Sequence, residues 1–291
     1  MATIVSVASG KGGVGKSVVI SNLALLLAKR GKRVVLVDLD TGGANLHVMF
    51  GMFRPSSTLT DFFSHRIDKL DDAALPVQGC TRLRLIAGTG ETLSTANLQH
   101  AKKKRLIRHL RQLDADLVLV DVGAGTHYHA LDFFLLADHY LAVATPEPTS
   151  VLDLYRFIKL AAIRKVLSAF LARDPIAQAI LDQEFQSVSD VLDAVGKTRE
   201  EGKEIAKQAL NGFHPLLILN RMTNGSQVNT LHLQRLLKQY VETELMVLGR
   251  IPEDQTVQQS VQKFLPVVDF APSSSAAMAL GLVVDNLLAK I

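Results

Sequence analysis

Residues 9–17 read SGKGGVGKS, a stretch in which glycines surround two lysines and a serine hydroxyl ends the run. Glycines let a backbone turn tightly around an anion, and the N–H groups of such a turn attract phosphate where a helix begins. Gly10-x4-Gly15-Lys16-Ser17 has the spacing of a phosphate-binding loop between a strand and a helix. We therefore expect Lys16 to reach the β- and γ-phosphates of a nucleotide and Ser17 to bind Mg²⁺. A glycine turn that carries Lys-Ser by chance is the alternative.

The second lysine of this stretch, Lys11, lies five residues before Lys16. Lys16 and the loop amides already serve the phosphates bound by their own chain, so Lys11 needs another explanation. The pattern KGGVGKS resembles the deviant Walker A motif of the MinD/ParA family of P-loop ATPases, in which the first lysine reaches the nucleotide of a partner subunit. The resemblance implies a homodimer that holds ATP between two copies, with Lys11 acting across the interface. A solvated loop lysine is the alternative.

The same resemblance implies which residues of the loop contact ATP. Val18 stands where the family often has a hydroxyl residue, but its backbone N–H remains available. Lys11 and Lys16 are also implied to act in catalysis. The residues implied to contact ATP are Gly10, Lys11, Gly12, Gly13, Val14, Gly15, Lys16, Ser17 and Val18.

Two further segments place aspartates at the ends of apolar, strand-like runs. VLVDLDTGGANL (35–46) resembles the switch I segment of the family, and DLVLVDVGAGT (116–126) resembles its Walker B motif and switch II. A carboxylate at a strand end beside a nucleotide can order metal-bound or attacking water. The resemblance implies that Asp38 and Asp121 join Ser17 at the Mg²⁺ and that Asp40 is catalytic. A helix or turn cap is the alternative for Asp38.

The residues that would bind the adenine base are implied by resemblance alone. LILNRM (217–222) resembles the strand end that reads adenine in the family, so Asn220 would hydrogen-bond the base and Arg221 would flank it. GRIPED (249–254) resembles the following loop, and TPEPTSV (145–151) also matches a family segment. The residues implied to wall the purine are Pro252, Glu253 and Asp254.

Apolar runs alternate with segments of helical period, such as Ser17–Lys29 and Leu106–Leu113. This alternation predicts an α/β fold, a mostly parallel sheet flanked by helices on both faces, as in P-loop NTPases. We predict one domain, 1–291, with a helical insertion at about 160–212, where a charged helical segment replaces a short crossover. Strands are predicted at Ile4–Ala8, Val34–Leu39, Leu83–Ala87, Leu117–Asp121, Tyr140–Ala144, Leu216–Asn220 and Met246–Arg250.

The composition is that of a globular protein, with 48% hydrophobic and 21% charged residues. The apolar runs are too short to span a bilayer, and the first residues do not resemble a signal peptide, so we expect a cytoplasmic protein. The single cysteine, Cys80, excludes an intrachain disulfide framework and a Cys-rich metal site. A net charge of +4 permits an anionic partner without requiring one.

Within the family, the segments ANL and TPEPTS are most similar to the FlhG and MinD branch. Members of that branch end in a basic amphipathic membrane-binding helix, whereas Ser275–Lys290 is rich in Ala, Leu and Val and predicts a helix packed on the core. A C-terminal membrane-targeting helix is therefore not evident. The basic segment 100–113 (HAKKKRLIRHLRQL) predicts a core-packed helix with a solvated face, and a patch for DNA or anionic lipid is the alternative.

We therefore expect a Mg²⁺-dependent ATPase that forms an ATP-sandwich homodimer and acts as a spatial-positioning or regulatory switch read by a partner protein. A role in placing flagella or the division site is the leading expectation. A DNA-binding segregation ATPase of the ParA type is the first alternative, and a P-loop enzyme that activates a small metabolite is the second.

Overall fold

The centre of the fold is an eight-stranded sheet, seen in a computed structural model that describes residues 2–40, 43–88, 100–170, 174, 176, 180, 183–225, 228 and 230–291. The strands are β1 (Thr3–Ala8), β2 (Val34–Leu39), β3 (Leu75–Val77), β4 (Cys80–Ile86), β5 (Leu117–Val122), β6 (His139–Ala144), β7 (Leu216–Met222) and β8 (Met246–Pro252). Their order across the sheet is β3-β4-β2-β5-β1-β6-β7-β8. Every neighbouring pair is parallel except β3 and β4.

The register of the central strands brings the site aspartates together. β2 (VVLVDL) and β5 (LVLVDV) are buried at every position, as expected for aliphatic strands covered on both faces. Asp38 of β2 pairs in register with Asp121 of β5, and Val7 of β1 pairs with the same Asp121. Since the carboxyl ends of parallel strands meet at one edge of a sheet, both carboxylates lie beside the loop that follows β1.

Eleven helices were located in the described ranges, and they cover both faces of the sheet. One hydrophobic core lies under α1, α10 and α11, and the other lies under α2 to α8. Short 3-10 turns occupy Leu46–Phe50 and Leu70–Ala73. The helices are α1 (Lys16–Lys29), α2 (Leu59–Phe63), α3 (His100–Leu110), α4 (Tyr128–Leu135), α5 (Pro148–Ser168), α6 (Val188–Thr198), α7 (Glu200–Leu210), α8 (Thr230–Val241), α9 (Gln255–Gln262), α10 (Val267–Phe270) and α11 (Ser275–Leu288).

The predicted α/β fold is confirmed, with two differences in detail. The sequence pattern does not reveal β3, because a three-residue edge strand that contains Pro76 is too short to show alternation. Leu160, where the helical insertion is predicted to begin, lies inside the continuous helix α5. α6 and α7 follow, and their apolar sides join the same core as α5. A single domain stays a prediction.

The C-terminal helix α11 packs on the core as predicted, burying Leu280, Val283 and Leu287, while Met278 and Leu282 remain exposed. The stripe of the basic segment is also buried, at Leu106, Leu110 and Leu113. Within the ranges described above, no helix is both long and apolar enough to cross a membrane.

Candidate active site

The loop between β1 and α1 is shaped by glycines with left-handed backbone. Gly13 and Gly15 have φ angles of +82° and +84°, a region that costs other residues about 1–2 kcal/mol. A Cβ on Gly15 would also collide with the side-chain amide of Asn220. α1 begins at Lys16, directly after Gly15, so the loop amides and the positive end of the helix dipole face the same point. This geometry suits a bound phosphate.

Lys16 and Ser17 both contact Asp121 at the end of β5. Lys16 Nζ donates a short hydrogen bond to Asp121 Oδ1, and Ser17 Oγ donates to Asp121 Oδ2 at 2.8 Å. Asp40 Oδ2 lies 3.8 Å from Lys16 Nζ. Lys16 is only 6% exposed, and a buried ammonium keeps its charge only when it is paired. Predicted site residues from three separate segments therefore meet at one place.

Asp38 is the second buried carboxylate of the site. It accepts hydrogen bonds from the backbone N–H groups of Asp40 and Leu46, both at 3.1 Å. Burial, and next the negative charge of Asp121, raise the pKa of Asp38 to about 8. Burial also raises the pKa of Asp121, although Lys16 and Ser17 act in the opposite direction. Carboxylates that burial destabilises as anions gain from a nearby cation.

The donor set of this site fits Mg²⁺. The Ser17 hydroxyl and the Asp38 and Asp121 carboxylates are oxygen ligands, which Mg²⁺ prefers. No group of three His, Cys, Asp or Glu side chains suited to hold a metal occurs among the residues that the structure describes. Mg²⁺ sites of nucleotide-binding proteins commonly combine one or two carboxylates with phosphate oxygens and water.

Asp40 lies against the switch II segment. A Cβ added to Gly123 would lie 3.2 Å from Asp40 Oδ1, a tight contact that Asp40 could relieve only by a small shift. Gly125 N–H donates to the Ser9 carbonyl at 3.2 Å, which joins switch II to the phosphate loop. Thr41 and Gly42, which belong to the predicted switch I segment, lie outside the described residues. The described parts of both switches thus border the phosphate loop.

Lys11 contacts the start of α5. Lys11 Nζ donates to Thr149 Oγ1 at 2.9 Å. Gly10 approaches the same helix, and a Cβ at that position would collide with the backbone of Asp153. The turn before α5 is held by Ser150 Oγ, which accepts a hydrogen bond from Thr145 N–H at 3.0 Å. The TPEPTS segment therefore packs beside the phosphate loop and holds the first lysine.

The residues predicted to bind the base line one cavity of about 410 Å³ beside the phosphate loop. This volume suits a purine-sized group. Asn220 Nδ2 donates to the Val14 carbonyl at 2.9 Å, so the amide of Asn220 is tied to the phosphate loop. Predicted site residues among the lining are Gly15, Val18, Asn220, Arg221, Pro252, Glu253 and Asp254.

The charged side chains of this cavity pair with protein groups. Arg221 Nε donates to Glu253 Oε2 at 2.9 Å, and the two side chains form an exposed ion pair at the cavity mouth. Asp254 caps α9 by accepting from Thr256 N–H at 2.9 Å, and it also accepts from Ser275 Oγ at 2.7 Å. The hydrogen bonds from Thr256 and Ser275 lower the pKa of Asp254. The Asp254 carboxylate therefore joins two helices, a role that the resemblance does not imply.

A phosphate loop with two lysines, aspartates at the ends of β2 and β5, and an Asn-lined cavity on a parallel sheet define a P-loop nucleotide-binding protein. The family model described as the CobQ/CobB/MinD/ParA nucleotide binding domain matches residues 5–267, and the chain belongs to this family. The MinD/ParA members of the family are P-loop ATPases.

Individual relatives agree with this assignment. The chain is 28% identical to antiactivator FleN of Pseudomonas aeruginosa over 283 residues, which cover 97% of this chain and 85% of FleN. It is 27% identical to the septum site-determining protein MinD of Helicobacter pylori over 270 residues, covering 92% and 84% of the two chains. These similarities support the predicted FlhG/MinD-like branch.

A solved structure has the same fold. MinD of Pyrococcus horikoshii complexed with Mg-ADP superimposes with a TM-score of 0.70 at 24% sequence identity, covering 99% of this chain and 96% of that one. The likeness extends over the whole sheet and its flanking helices.

Sequence reasoning missed two parts of the site. The sequence matches the TPEPTS segment to the family but indicates no role for Thr149, which accepts a hydrogen bond from Lys11. It also indicates no role for the Asp153 backbone, which excludes a side chain at position 10. The proline and hydroxyl residues that open α5 mark a helix start, but only the fold shows that this start borders the phosphate loop.

Proposed function

We propose that this protein is a Mg²⁺-dependent ATPase that forms an ATP-sandwich homodimer and acts in the cytoplasm as a regulatory switch for the placement of a cellular structure. The observation that carries this proposal is the different placement of its two lysines. Lys16 is buried against Asp121 beside Ser17, whereas Lys11 is partly exposed on Thr149 at the start of α5. A partly exposed lysine beside an ATP site can reach a second copy, and a buried one cannot.

The residues of one chain account for binding. Loop amides and Lys16 contact the phosphates of ATP, and Ser17, Asp38 and Asp121 would hold the Mg²⁺. When bound, this ion neutralises negative charge on the phosphate oxygens.

Hydrolysis uses residues of both copies. Asp40, beside Lys16 and Gly123, orients a water molecule for in-line attack on the γ-phosphorus and accepts its proton. Lys11 of the second copy stabilises charge on the γ-phosphate oxygens as the bond to ADP breaks.

The base site favours adenine over guanine. Asn220 donates one of its two Nδ2 hydrogens to the Val14 carbonyl, which fixes the orientation of the amide and leaves Oδ1 as an acceptor for the base. An acceptor oxygen matches the exocyclic amino group of adenine and opposes the carbonyl oxygen of guanine. Loss of such a match leaves buried polar groups unpaired, which is the usual source of strong discrimination.

The output of the switch is proposed from the relatives. One relative is named an antiactivator and another a septum site-determining protein. We infer that the ATP-bound dimer of this chain presents a surface that a regulatory partner protein recognises. Hydrolysis then limits the lifetime of that state.

DNA binding of the ParA type is the weaker candidate because the basic segment 100–113 uses much of its charge in contacts within the protein. Lys103 pairs with Asp132, Arg105 donates to the Phe62 carbonyl, and Arg111 pairs with Asp138. Lys104 and Arg108 are exposed, and Lys102 is partly exposed. Two exposed cations neutralise few phosphates, and DNA affinity grows with the number neutralised.

Sedimentation velocity with ATP, ADP and no nucleotide, in buffers with and without Mg²⁺, tests the proposal, together with phosphate release from ATP and GTP. We expect a dimer only with ATP and Mg²⁺, and faster phosphate release from ATP than from GTP. A monomer in every condition would contradict the proposal. Retention on nonspecific DNA only with ATP would favour the segregation ATPase instead.

A further inference from the structure

The end of α9 holds a phenylalanine in a position that favours glycine. Phe264 N–H donates to the Val261 carbonyl at 3.0 Å, and Leu265 N–H donates to the Ser260 carbonyl at 3.1 Å. This pair of hydrogen bonds is the Schellman motif, whose left-handed residue is usually glycine. Phe264 has a φ angle of +57° and is the one large apolar side chain among the described non-glycine residues with positive φ. The backbone at Phe264 is therefore strained.

The Phe264 ring does not relieve this strain by entering the core. It packs edge-on against Phe53, with ring centroids 4.8 Å apart and an interplanar angle of 84°. Phe264 is 40% exposed and Phe53 is 60% exposed, and the neighbouring Leu265 is exposed as well. Two loop ends thus hold three large apolar side chains in water, an arrangement that suggests a binding role.

The charged residues closest in sequence to these side chains are cations. Arg54 and Lys263 flank the two rings in sequence, and both are exposed. Residues 50–58 and 257–268 contain no Asp or Glu. We call Phe53, Arg54, Lys263, Phe264 and Leu265 the aromatic tip.

We propose that the aromatic tip binds an anionic lipid surface. Aromatic rings flanked by Lys and Arg suit the boundary between headgroups and acyl chains, where the rings enter and the long cationic stems reach the phosphates. A protein partner fits less well, because lysine is depleted in protein interfaces and because the area of three apolar side chains is far smaller than that of a standard protein interface. This proposal does not depend on the ATPase mechanism.

The tip is connected to both ends of the nucleotide site. α9 begins at the base cavity, which Val257 and Gln258 help to line. The loop that carries Phe53 follows the 3-10 turn at Leu46–Phe50, whose first N–H donates to Asp38. Lipid binding is therefore to be measured with ATP and with ADP.

A tryptophan reporter tests insertion directly, since the chain contains no tryptophan. The full-length Phe53→Trp variant is mixed with vesicles of phosphatidylcholine alone, or with 30% phosphatidylglycerol, at roughly physiological salt. We expect a blue shift of emission, and quenching by brominated acyl chains, only with the anionic vesicles. Leu231→Trp is the matched control, because Leu231 is 64% exposed on α8, and it should show neither change.

Substitutions then separate lipid binding from structure. Arg54→Gln with Lys263→Gln should weaken binding of the anionic vesicles roughly 25-fold, since each cation near such a surface contributes about fivefold. Phe264→Gly should also weaken vesicle binding, while its melting temperature stays unchanged or rises because glycine relieves the strained φ.

Three results would overturn the proposal. Wild-type protein that binds no anionic vesicles with either nucleotide would exclude a lipid role. Vesicle binding that survives both sets of substitutions would place the lipid site elsewhere. Self-association that Phe264→Gly abolishes, without vesicle binding by the wild type, would assign the tip to contacts between copies.

Discussion

Lys11 Nζ donates a hydrogen bond to Thr149 Oγ1 at 2.9 Å, which places the first lysine of the phosphate loop at the N-terminus of α5. That end of the helix carries a positive partial charge, which disfavours an ammonium group. The hydroxyl of Thr149 therefore holds Lys11 weakly. In the proposed mechanism, Lys11 leaves Thr149 and binds the γ-phosphate of the ATP held by the second copy, because the negative charge of that phosphate attracts the ammonium group more strongly than the hydroxyl does.

Thr149→Val should strengthen the ATP-dependent dimer. Removal of the hydroxyl deletes a contact that opposes the movement of Lys11, and the exposed site limits the effect to roughly two- to fivefold in the dimer dissociation constant. Sedimentation velocity with a nonhydrolysable ATP analogue measures it.

Thr149→Ser keeps the hydroxyl and serves as the control. Its dimer dissociation constant should be like that of the wild type. A Thr149→Val protein that dimerises more weakly than the control would show that Thr149 supports the interface instead of holding Lys11 back.

Asp40→Ala should separate binding from turnover. ATP binding and dimerisation should persist, because Lys16, Ser17 and Asp121 remain, while hydrolysis should fall roughly a hundredfold or more without the group that orients water. The ATP-bound dimer should then accumulate over time. Single-turnover phosphate release checks the rate, and wild-type turnover in the variant would remove Asp40 from the chemistry.

Asn220→Ala should reduce selection of the base. The variant loses the acceptor that matches adenine and the link to the Val14 carbonyl, so ATP affinity should fall about tenfold. GTP affinity should fall less, so the difference between the affinities for ATP and GTP should become smaller. Isothermal titration with both nucleotides measures this.

Asn286→Ala is the matched control for the base site, since Asn286 Nδ2 also donates to a backbone carbonyl, that of Leu248, away from the cavity. Equal losses of ATP and GTP affinity in Asn220→Ala would mean that Asn220 supports the loop without reading the base.

Asp254→Asn should destabilise the fold by about 1–2 kcal/mol at neutral pH, because the amide oxygen can still cap α9 but the amide nitrogen cannot accept the hydrogen bonds from Ser275 and Ala276 that join α9 to α11. The pKa of Asp254 is lowered in the folded state, chiefly by hydrogen bonds from Thr256 and Ser275. Its contribution is therefore complete above the unfolded-state pKa of about 4 and declines as pH falls through the folded-state pKa.

Urea unfolding at neutral and acidic pH tests this dependence, and the difference between wild type and Asp254→Asn should shrink in acid. Asp269→Asn is the control, since Asp269 pairs with Lys29 at the surface, where such ion pairs contribute little. A loss of stability that grows in acid would contradict the assigned role.

The phosphate loop and the strand-end aspartates could be predicted because their chemistry is local. Lys16 and Ser17 have fixed positions relative to the start of α1, and aspartates at the ends of parallel strands meet at one edge. The burial of Asp38 and Asp121 follows from the same apolar strands. Each of these features can be predicted from a short stretch of sequence.

The remaining features depend on contacts between distant segments. The Lys11–Thr149 hydrogen bond joins residues 138 positions apart, and the contact of Asp254 with Ser275 depends on how α9 and α11 pack. The strain at Phe264 arises from the way α9 ends, which hydrophobic periodicity does not encode. Such contacts became visible only in the folded chain.

Light scattering after size-exclusion chromatography of Lys11→Ala, with and without a nonhydrolysable ATP analogue, tests the central claim most directly. We expect this variant to bind ATP, because Lys16 and the loop amides remain, yet to stay monomeric at concentrations where the wild type becomes a dimer. If Lys11→Ala dimerises with the analogue as well as the wild type does, Lys11 is an ordinary loop lysine and the proposed sandwich dimer is contradicted.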